Sequence, residues 1–293
     1  MDLRVMKNFL KIAETQNITQ ASKELNVAQP HLTRQIKKLE EELGILLFFR
    51  DKKRLHITEE GRFLKQQIEQ ILKLVDKTER QIKEMQSEIS GTLFIGAIET
   101  VCGSFLSEWL AEFKKDFPQI KYNIWSANSK DVVERLEKGL IDLAFVREPI
   151  DETKFNSIHF IDEQWAAFFN KKHILSQKSS EIISLRKLSK EELIVPSQRV
   201  EEIENWFKAE NLTADIRCSV SPLSIALSLI KNNLGVAILP ESTIKSIENK
   251  NEILLKKLDK VKKTGISLIW KKNYELSLAS KSFMNFFQNK NIE

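Results

Sequence analysis

Hydrophobic side chains recur along this chain at two periods, and the switch between them divides it. Met6, Phe9, Leu10 and Ala13 fall at helical spacing and predict a first helix with one core-facing stripe. Thr19 offers a cap for a short second helix through Ala21 and Leu25, and Ala21 is small enough for a close helix approach. Asn26 and Val27 form a turn. Leu32, Ile36, Leu39 and Leu43 then give a third helix its buried stripe, and Gly44 can end it with positive φ. Apolar flanks around Arg50, Asp51, Lys52, Lys53 and Arg54 predict a hairpin with a basic tip. From 58 to 89, Leu64, Ile68, Ile71, Val75, Thr78, Ile82, Met85 and Ile89 alternate steps of four and three. That is a heptad seam, on a helix of roughly 45 Å at 1.5 Å per residue. Thr78 is its one polar position.

Beyond Ser90 and Gly91 the period changes. GTLFIGA is a buried strand, 105–117 a helix ended by Pro118, KYNIWS a strand, 130–138 a helix ended by Gly139, and LIDLAFV another strand. A second set follows: QWAAFFN, ELIVP, a helix around 203–208, DIRCSV, a helix over 223–232, GVAILP and ISLIW. Strands alternating with helices predict mostly parallel sheets with right-handed crossovers, here in two α/β lobes.

Length changes this picture little: 293 residues at 42% hydrophobic composition suit two or three globular units. Charge adds more. The net charge is +5, and bases outnumber acids between Met1 and Ile57, so the surplus is concentrated in the first fifth of the chain. No signal-peptide pattern precedes the first helix and no apolar run approaches the ~20 residues a bilayer span needs, so a cytoplasmic protein without membrane association is expected. Cys102 and Cys218 lie far apart and form no ligand cluster with His31, His56, His159 or His173. Neither zinc, a structural disulfide nor any cofactor is indicated.

The short helix, tight turn and longer helix have the proportions of a helix-turn-helix, whose leading residues must reach base edges in the major groove of duplex DNA. Gln29, Pro30, Thr33, Arg34, Lys37 and Lys38 occupy the polar face of the third helix. A helical hairpin with a solvated basic face would show the same periodicity. The basic hairpin beside that helix, a wing, would set Arg50, Lys52, Lys53 and Arg54 against phosphates. In the α/β lobes, ligands are expected outside the carboxyl ends of strands, where helix amino termini present free N–H groups. Thr100, Cys102, Ser104, Asn128, Ser129, Gln198 and Ser221 lie in such loops and can orient a small polar molecule, and Arg147 or Arg199 can pair with a carboxylate. For any one of these polar residues, capping its own helix is the first expectation, and the cleft role belongs to the group as a lining.

More than periodicity supports the first reading. MDLRVMKNFLKIAETQNITQASKELNVAQPHLTRQIKKLEEELGILLF, the basic hairpin and LHITEEG together resemble the amino-terminal domain of LysR-type transcriptional regulators, and the likeness continues as pattern to the carboxyl terminus. Ala28 stands where that family usually has serine, and Phe49 where it often has glutamate. The resemblance implies three parts. These are a winged helix-turn-helix domain over 1–60 that includes Thr19 among its DNA contacts, a linker and dimerisation helix over 61–90, and an effector-binding domain of periplasmic-binding-protein fold over 91–293. Lobe I would span about 91–161 and 266–293 and lobe II about 162–265, with crossings near Ile161 and near Gly265. The heptad seam itself calls for coiled-coil pairing, hence at least a homodimer, and the resemblance extends this to a homotetramer; it also implies a small-molecule effector, for which the basic loops suggest an anion, and contact with the transcription machinery.

Three function classes are separable. An effector-responsive DNA-binding regulator accounts for the reading helix, wing, seam and lobes together. A cytoplasmic small-molecule-binding protein accounts for the lobes but not for the ninety residues ahead of them. An enzyme would need a base beside Cys102, and no histidine is assignable to that role. A cysteine-based redox sensor on the same fold would use Cys102 and Cys218, whose separation in space the sequence leaves open.

Overall fold

The computed structural model describes residues 1–51, 54–84, 90–177, 180–246 and 252–290. They form two compact units, Met1–Lys83 and Glu84–Glu293.

The first unit comprises α1 (Leu3–Thr15), α2 (Ile18–Leu25), α3 (Gln29–Leu43), the antiparallel hairpin β1 (Phe48–Asp51) and β2 (Arg54–Ile57), and α4 (Glu59–Glu84). Met6, Phe9, Ile12, Ala21, Leu32, Ile36 and Leu39 build its core. Two expectations change here. Asn17, not Thr19, caps α2, because its Oδ1 accepts the amides of Thr19 and Gln20 while Thr19 sits in the first turn. Leu43 is 43% exposed: α3 ends at Gly44 in the left-handed conformation, and Leu47, past the turn, is the next side chain that the core takes up. The entry to the hairpin is fixed by Glu40, whose Oε1 accepts the amides of Leu47 and Phe48 at 2.8 and 3.1 Å.

Gly61 in the first turn of α4 admits no side chain, since a Cβ there would lie 2.4 Å from the carbonyl oxygen of Leu47 and 2.7 Å from Ile57 Cγ1. Along α4, Ile68 is fully buried and Leu64 and Leu72 pack beside it against the first unit's own core. Ile68 is therefore taken up by that core and has no surface left for a seam, while Leu64 is half-buried beside it. Farther on, Ile71, Leu74 and Ile82 are 37, 39 and 60% exposed, and Val75 is half-buried. Met85 and Ile89 lie outside the described residues.

The second unit contains two sheets. In order of chain, its elements are β3 (Gly91–Ile98), α5 (Glu99–Val101), a π-helical turn (Cys102–Leu106), α6 (Ser107–Asp116), β4 (Ile120–Ala127), α7 (Ser129–Glu137), β5 (Leu143–Arg147), β6 (Phe155–Glu163) and β7 (Trp165–Asn170). There follow β8 (Ile182–Ile183), α8 (Leu185–Leu188), β9 (Glu192–Pro196), α9 (Val200–Ala209), β10 (Asp215–Val220), α10 (Leu223–Lys231), β11 (Val236–Pro240), β12 (Ile253–Leu258), β13 (Thr264–Lys271) and α11 (Leu278–Lys290).

The first sheet runs β4-β3-β5-β13-β6, with β3, β4 and β5 parallel and β13 antiparallel to both its neighbours. The second runs β10-β9-β11-β7-β12-β8, with β7 antiparallel to β11 and to β12. Parallel strands thus account for only part of each sheet. Strands β6, β8 and β12 and helices α5, α8 and α11 were not foreseen, and β6 places the first crossing just past Ile161. Ile161 lies within β6, paired to Ile266, and the chain passes between sheets at Gln164. The return passage lies between β12 and β13, ahead of the expected Gly265, which is already in β13.

Both passages are held by one buried cluster. The Arg147 guanidinium donates from Nη2 to Glu163 Oε2 and from Nη1 to Thr264 Oγ1, each at 2.6 Å, with both members of the ion pair only 5% exposed in their side chains. Glu163 Oε1 accepts the Ser242 amide, and Trp165 Nε1 donates to Thr264 Oγ1. Burial pushes the Arg147 pKa down, and the Glu163 carboxylate opposes that shift.

Three expected outcomes follow from these contacts. Gly61→Ala should destabilise the first unit by roughly 1–3 kcal/mol, the range for forced overpacking. Gly44→Ala, with nothing within 4 Å of the added Cβ but a φ of +68°, should cost roughly 1–2 kcal/mol from backbone strain alone. Urea titration of both variants tests the pair, and a Gly61→Ala protein as stable as the parent would contradict the close approach. Glu163→Ala leaves a buried guanidinium uncompensated and should cost roughly 3–5 kcal/mol in the unfolding of the second unit. A loss below about 1 kcal/mol would mean that water reaches Arg147.

Candidate functional site

In the first unit, α2 and α3 are joined through Asn26 in the left-handed conformation, with Val27 N–H donating to Ser22 O. This fixes the angle at which α3 leaves the turn. The buried stripe of α3 turns the opposite face outward, so Gln29, Pro30, Arg34, Lys37 and Lys38 are exposed and Thr33 half-exposed. Thr33 Oγ1 donates back to Gln29 O within the helix, at 3.1 Å. Pro30 occupies the first turn, where no amide partner is needed, and Ala28 caps α3 without a side-chain hydrogen bond. His31, exposed in the same turn, joins this face and was not singled out from the sequence. Thr19 is exposed on α2. In the hairpin, Phe49 stacks on His56 with ring centroids 5.4 Å apart. Arg50 and Arg54 contribute their backbones to β1 and β2, while Lys52 and Lys53 lie outside the described residues.

The second unit holds a cavity of about 600 Å³ between its two sheets. Ser126, Asn128, Ser129 and Lys130 line it from the end of β4 and the start of α7, Arg147 from the end of β5, Gln198 and Arg199 from beyond β9, and Ser221 from beyond β10. Seven of the nine residues expected there do line it. The other two do not. Cys102 faces an adjoining cavity of about 310 Å³, and Ser104 is buried with its hydroxyl donating to Ser242 O.

Position alone does not leave these groups open to a ligand. Asn128 caps α7 by accepting the Asp131 amide, and its Nδ2 donates to Asp131 Oδ2. Ser129 Oγ accepts the Arg147 amide. Arg147 is engaged by Glu163, and Arg199 Nη1 meets Glu202 Oε2 at 2.5 Å. Arg147 is therefore a structural cation of the lobe junction and not an open carboxylate receptor. Gln198 Nε2 donates only to Ser221 Oγ, at 3.4 Å, and Lys130 is exposed, so these groups are less committed than the two arginines.

Glu99 and Trp165 are site residues that sequence reasoning passed over. Glu99 Oε2 accepts the Leu223 amide at 2.8 Å, joining the segment after β3 to the first residue of α10. An acid beside an expected anion site runs against the charge pattern that predicts one, so the sequence carries no signal for Glu99. Cys102 and Cys218 are both free. Burial pushes the Cys102 thiol up, Glu99 adds to the shift, and a Ser126 hydrogen bond opposes it. No group of acids, histidines or cysteines that could hold a metal ion occurs among the described residues. Nor is any helix among them long and apolar enough to cross a membrane.

Comparison with known proteins agrees with this two-part geometry. The family model described as bacterial regulatory helix-turn-helix protein, lysR family, matches residues 3–62, and that described as LysR substrate binding domain matches 86–291. Among curated relatives, the HTH-type transcriptional regulator BsdA of Bacillus subtilis is 30% identical over 254 residues, spanning 83% of this chain and 85% of that one. BenM of Acinetobacter baylyi is 28% identical over 248 residues, spanning 83% and 81%. Among solved structures, CbnR complexed with its target DNA superposes with a TM-score of 0.80 at 22% identity, covering 99% of each chain. Full-length BenM gives 0.59 at 25% identity over 99% and 96%. The chain belongs to the LysR family of DNA-binding transcriptional regulators, with an amino-terminal helix-turn-helix domain followed by an effector-binding domain.

Proposed function

We propose that this regulator binds its operator as a dimer through paired α3 helices and hairpins, and that a small molecule in the 600 Å³ cavity between the lobes alters operator affinity. The observation that carries the reading is the exposed amino-terminal face of α3, where Gln29, Pro30 and Arg34 stand clear of the core formed by Leu32, Ile36 and Leu39. Ile71, Leu74 and Ile82, exposed beyond the part of α4 that packs on the first unit, supply the apolar stripe for pairing two copies. The cytoplasm, where DNA and transcription machinery reside, is the proposed site of action. A regulatory role without catalysis fits Cys102, whose thiol is held away from the reactive thiolate form. The same shift weighs against a thiol-based sensor.

Operator and random-sequence DNA distinguish base contacts from phosphate contacts. Arg34→Ala should cost roughly 1–3 kcal/mol on the preferred operator and less on random sequence, measured by fluorescence anisotropy. Equal losses on both would assign Arg34 to phosphate alone. Replacing Lys52, Lys53 and Arg54 together should weaken binding to all sequences and flatten log K against log salt by up to about three units of slope, near 0.9 for each phosphate contact. An unchanged slope would remove the hairpin from the interface.

The seam has its own test. Ile71→Lys with Val75→Lys places charges in the proposed interface and should abolish operator binding, with sedimentation showing loss of the dimer. A double variant that remained dimeric and bound operator with parental affinity would relocate the interface to the α/β lobes. Coupling between ligand and DNA is reciprocal and of the order of 1–3 kcal/mol, because the ligand acts only by favouring one of two arrangements.

A further inference from the structure

The cavity of about 310 Å³ beside the main cleft differs from it in chemistry. Glu99 is the one charged side chain on its described lining. The other groups that matter are the hydroxyls of Thr100, Ser126 and Thr243 and the apolar faces of Leu223 and Leu227. Thr100 and Thr243 are 4 and 3% exposed, and the hydroxyl oxygen of each lacks a hydrogen-bond partner. Buried hydroxyls are ordinarily satisfied, so two orphans on one small cavity mark where a polar group belongs. Both can accept a hydrogen bond from a ligand.

Glu99 shows which polar group. One of its oxygens takes the Leu223 amide, and no cation pairs with the carboxylate among the described residues. An anion entering this compartment would meet a carboxylate already seated at the amino end of α10. A protonated amine would instead find the carboxylate and the unpaired hydroxyl oxygens as acceptors, and its three donors match that set. The leucines give its carbon stem an apolar wall, and the volume lies at the lower end for small-molecule sites. A bare monovalent ion would leave most of that volume and both leucines unused.

We propose that this annex is an ammonium subsite, and that the effector of this regulator carries a protonated amine which pairs with Glu99 and hydrogen-bonds to Thr100 and Thr243. The inference rests on the cleft being the effector site, since Glu99, Thr100, Ser126 and Leu223 line both cavities. Arg147 and Arg199, the cations that would have favoured an anion, are already matched by Glu163 and Glu202.

The test uses the full-length protein at pH 7 with butylammonium, butyrate, butanol and sodium chloride as probes, binding being read by saturation-transfer NMR and calorimetry without DNA. Butylammonium should bind and butyrate should not. Glu99→Gln, which retains an acceptor for the Leu223 amide, should weaken butylammonium at least tenfold with an unchanged melting temperature, and Thr243→Val should weaken it severalfold. Butyrate binding as tightly as the amine, equal amine binding by Glu99→Gln, or sodium reproducing the effect would overturn the proposal. Operator affinity is then measured with and without butylammonium. Binding that depends on Glu99 but leaves operator affinity unchanged would support the ammonium subsite while counting against the effector reading. An operator response to butyrate that survives Glu99→Gln would do the reverse.

Discussion

The Arg147–Glu163 pair governs the second unit, because it holds both strands on which the chain passes between lobes. Arg147 ends β5, Glu163 ends β6 and Thr264 begins β13, so a single guanidinium ties three strand ends at the lobe junction. Ser242, from beyond β11, adds a contact from the other lobe through the second oxygen of Glu163. A buried ion pair contributes little net stability over an apolar replacement, but it tolerates few geometries. That intolerance suits a junction that must hold two sheets at a defined separation. It also removes the most deeply placed cation of the cleft from ligand recognition.

The legible parts of this sequence were those in which one periodicity has one cause. Leu32, Ile36 and Leu39 line α3 because only one core is available to that helix, and the continuous apolar runs of β3, β5, β7 and β11 are strands buried on both faces. Strand β6 was missed because FNSIHFIDE is a polar sheet edge, burying mainly its first and last residues. Helix α11 did carry a signal, Ala279, Phe283 and Phe287 at steps of four, all buried against the first sheet's core. The site was harder. Arg147 and Glu163 are 16 residues apart on different strands, and no spacing rule connects an arginine to a carboxylate that only sheet register brings alongside.

In α4 a single periodicity had two causes. Leu64 and Ile68 fall on the same heptad as Ile71, Val75 and Ile82, yet the first pair fills the winged domain's own core while Ile71 and Ile82 are exposed. A continuous stripe therefore does not imply a continuous partner. The helix is anchored to its own domain by its first turns, through Gly61 against Leu47 and Ile68 in the core, so the direction in which its later turns leave that domain is fixed by packing.

The same distinction, between where a group lies and what it is already doing, applies to the cleft. Three helices point their amino termini at it, and each has an acid in or against its first turn: Asp131 in α7, Glu202 in α9 and Glu99 at α10. The macrodipoles that make helix amino termini attractive to anions are thus already complemented by the chain. Asp131 and Glu202 belong to the helices they complement, so their contacts persist in any arrangement of the lobes. Glu99 is different, because it reaches α10 from the segment after β3. Its bond to the Leu223 amide exists only while the two elements stay in register. Of the three acids, Glu99 alone therefore ties an element of one sheet to a helix of the other, whereas Asp131 and Glu202 act within their own helices.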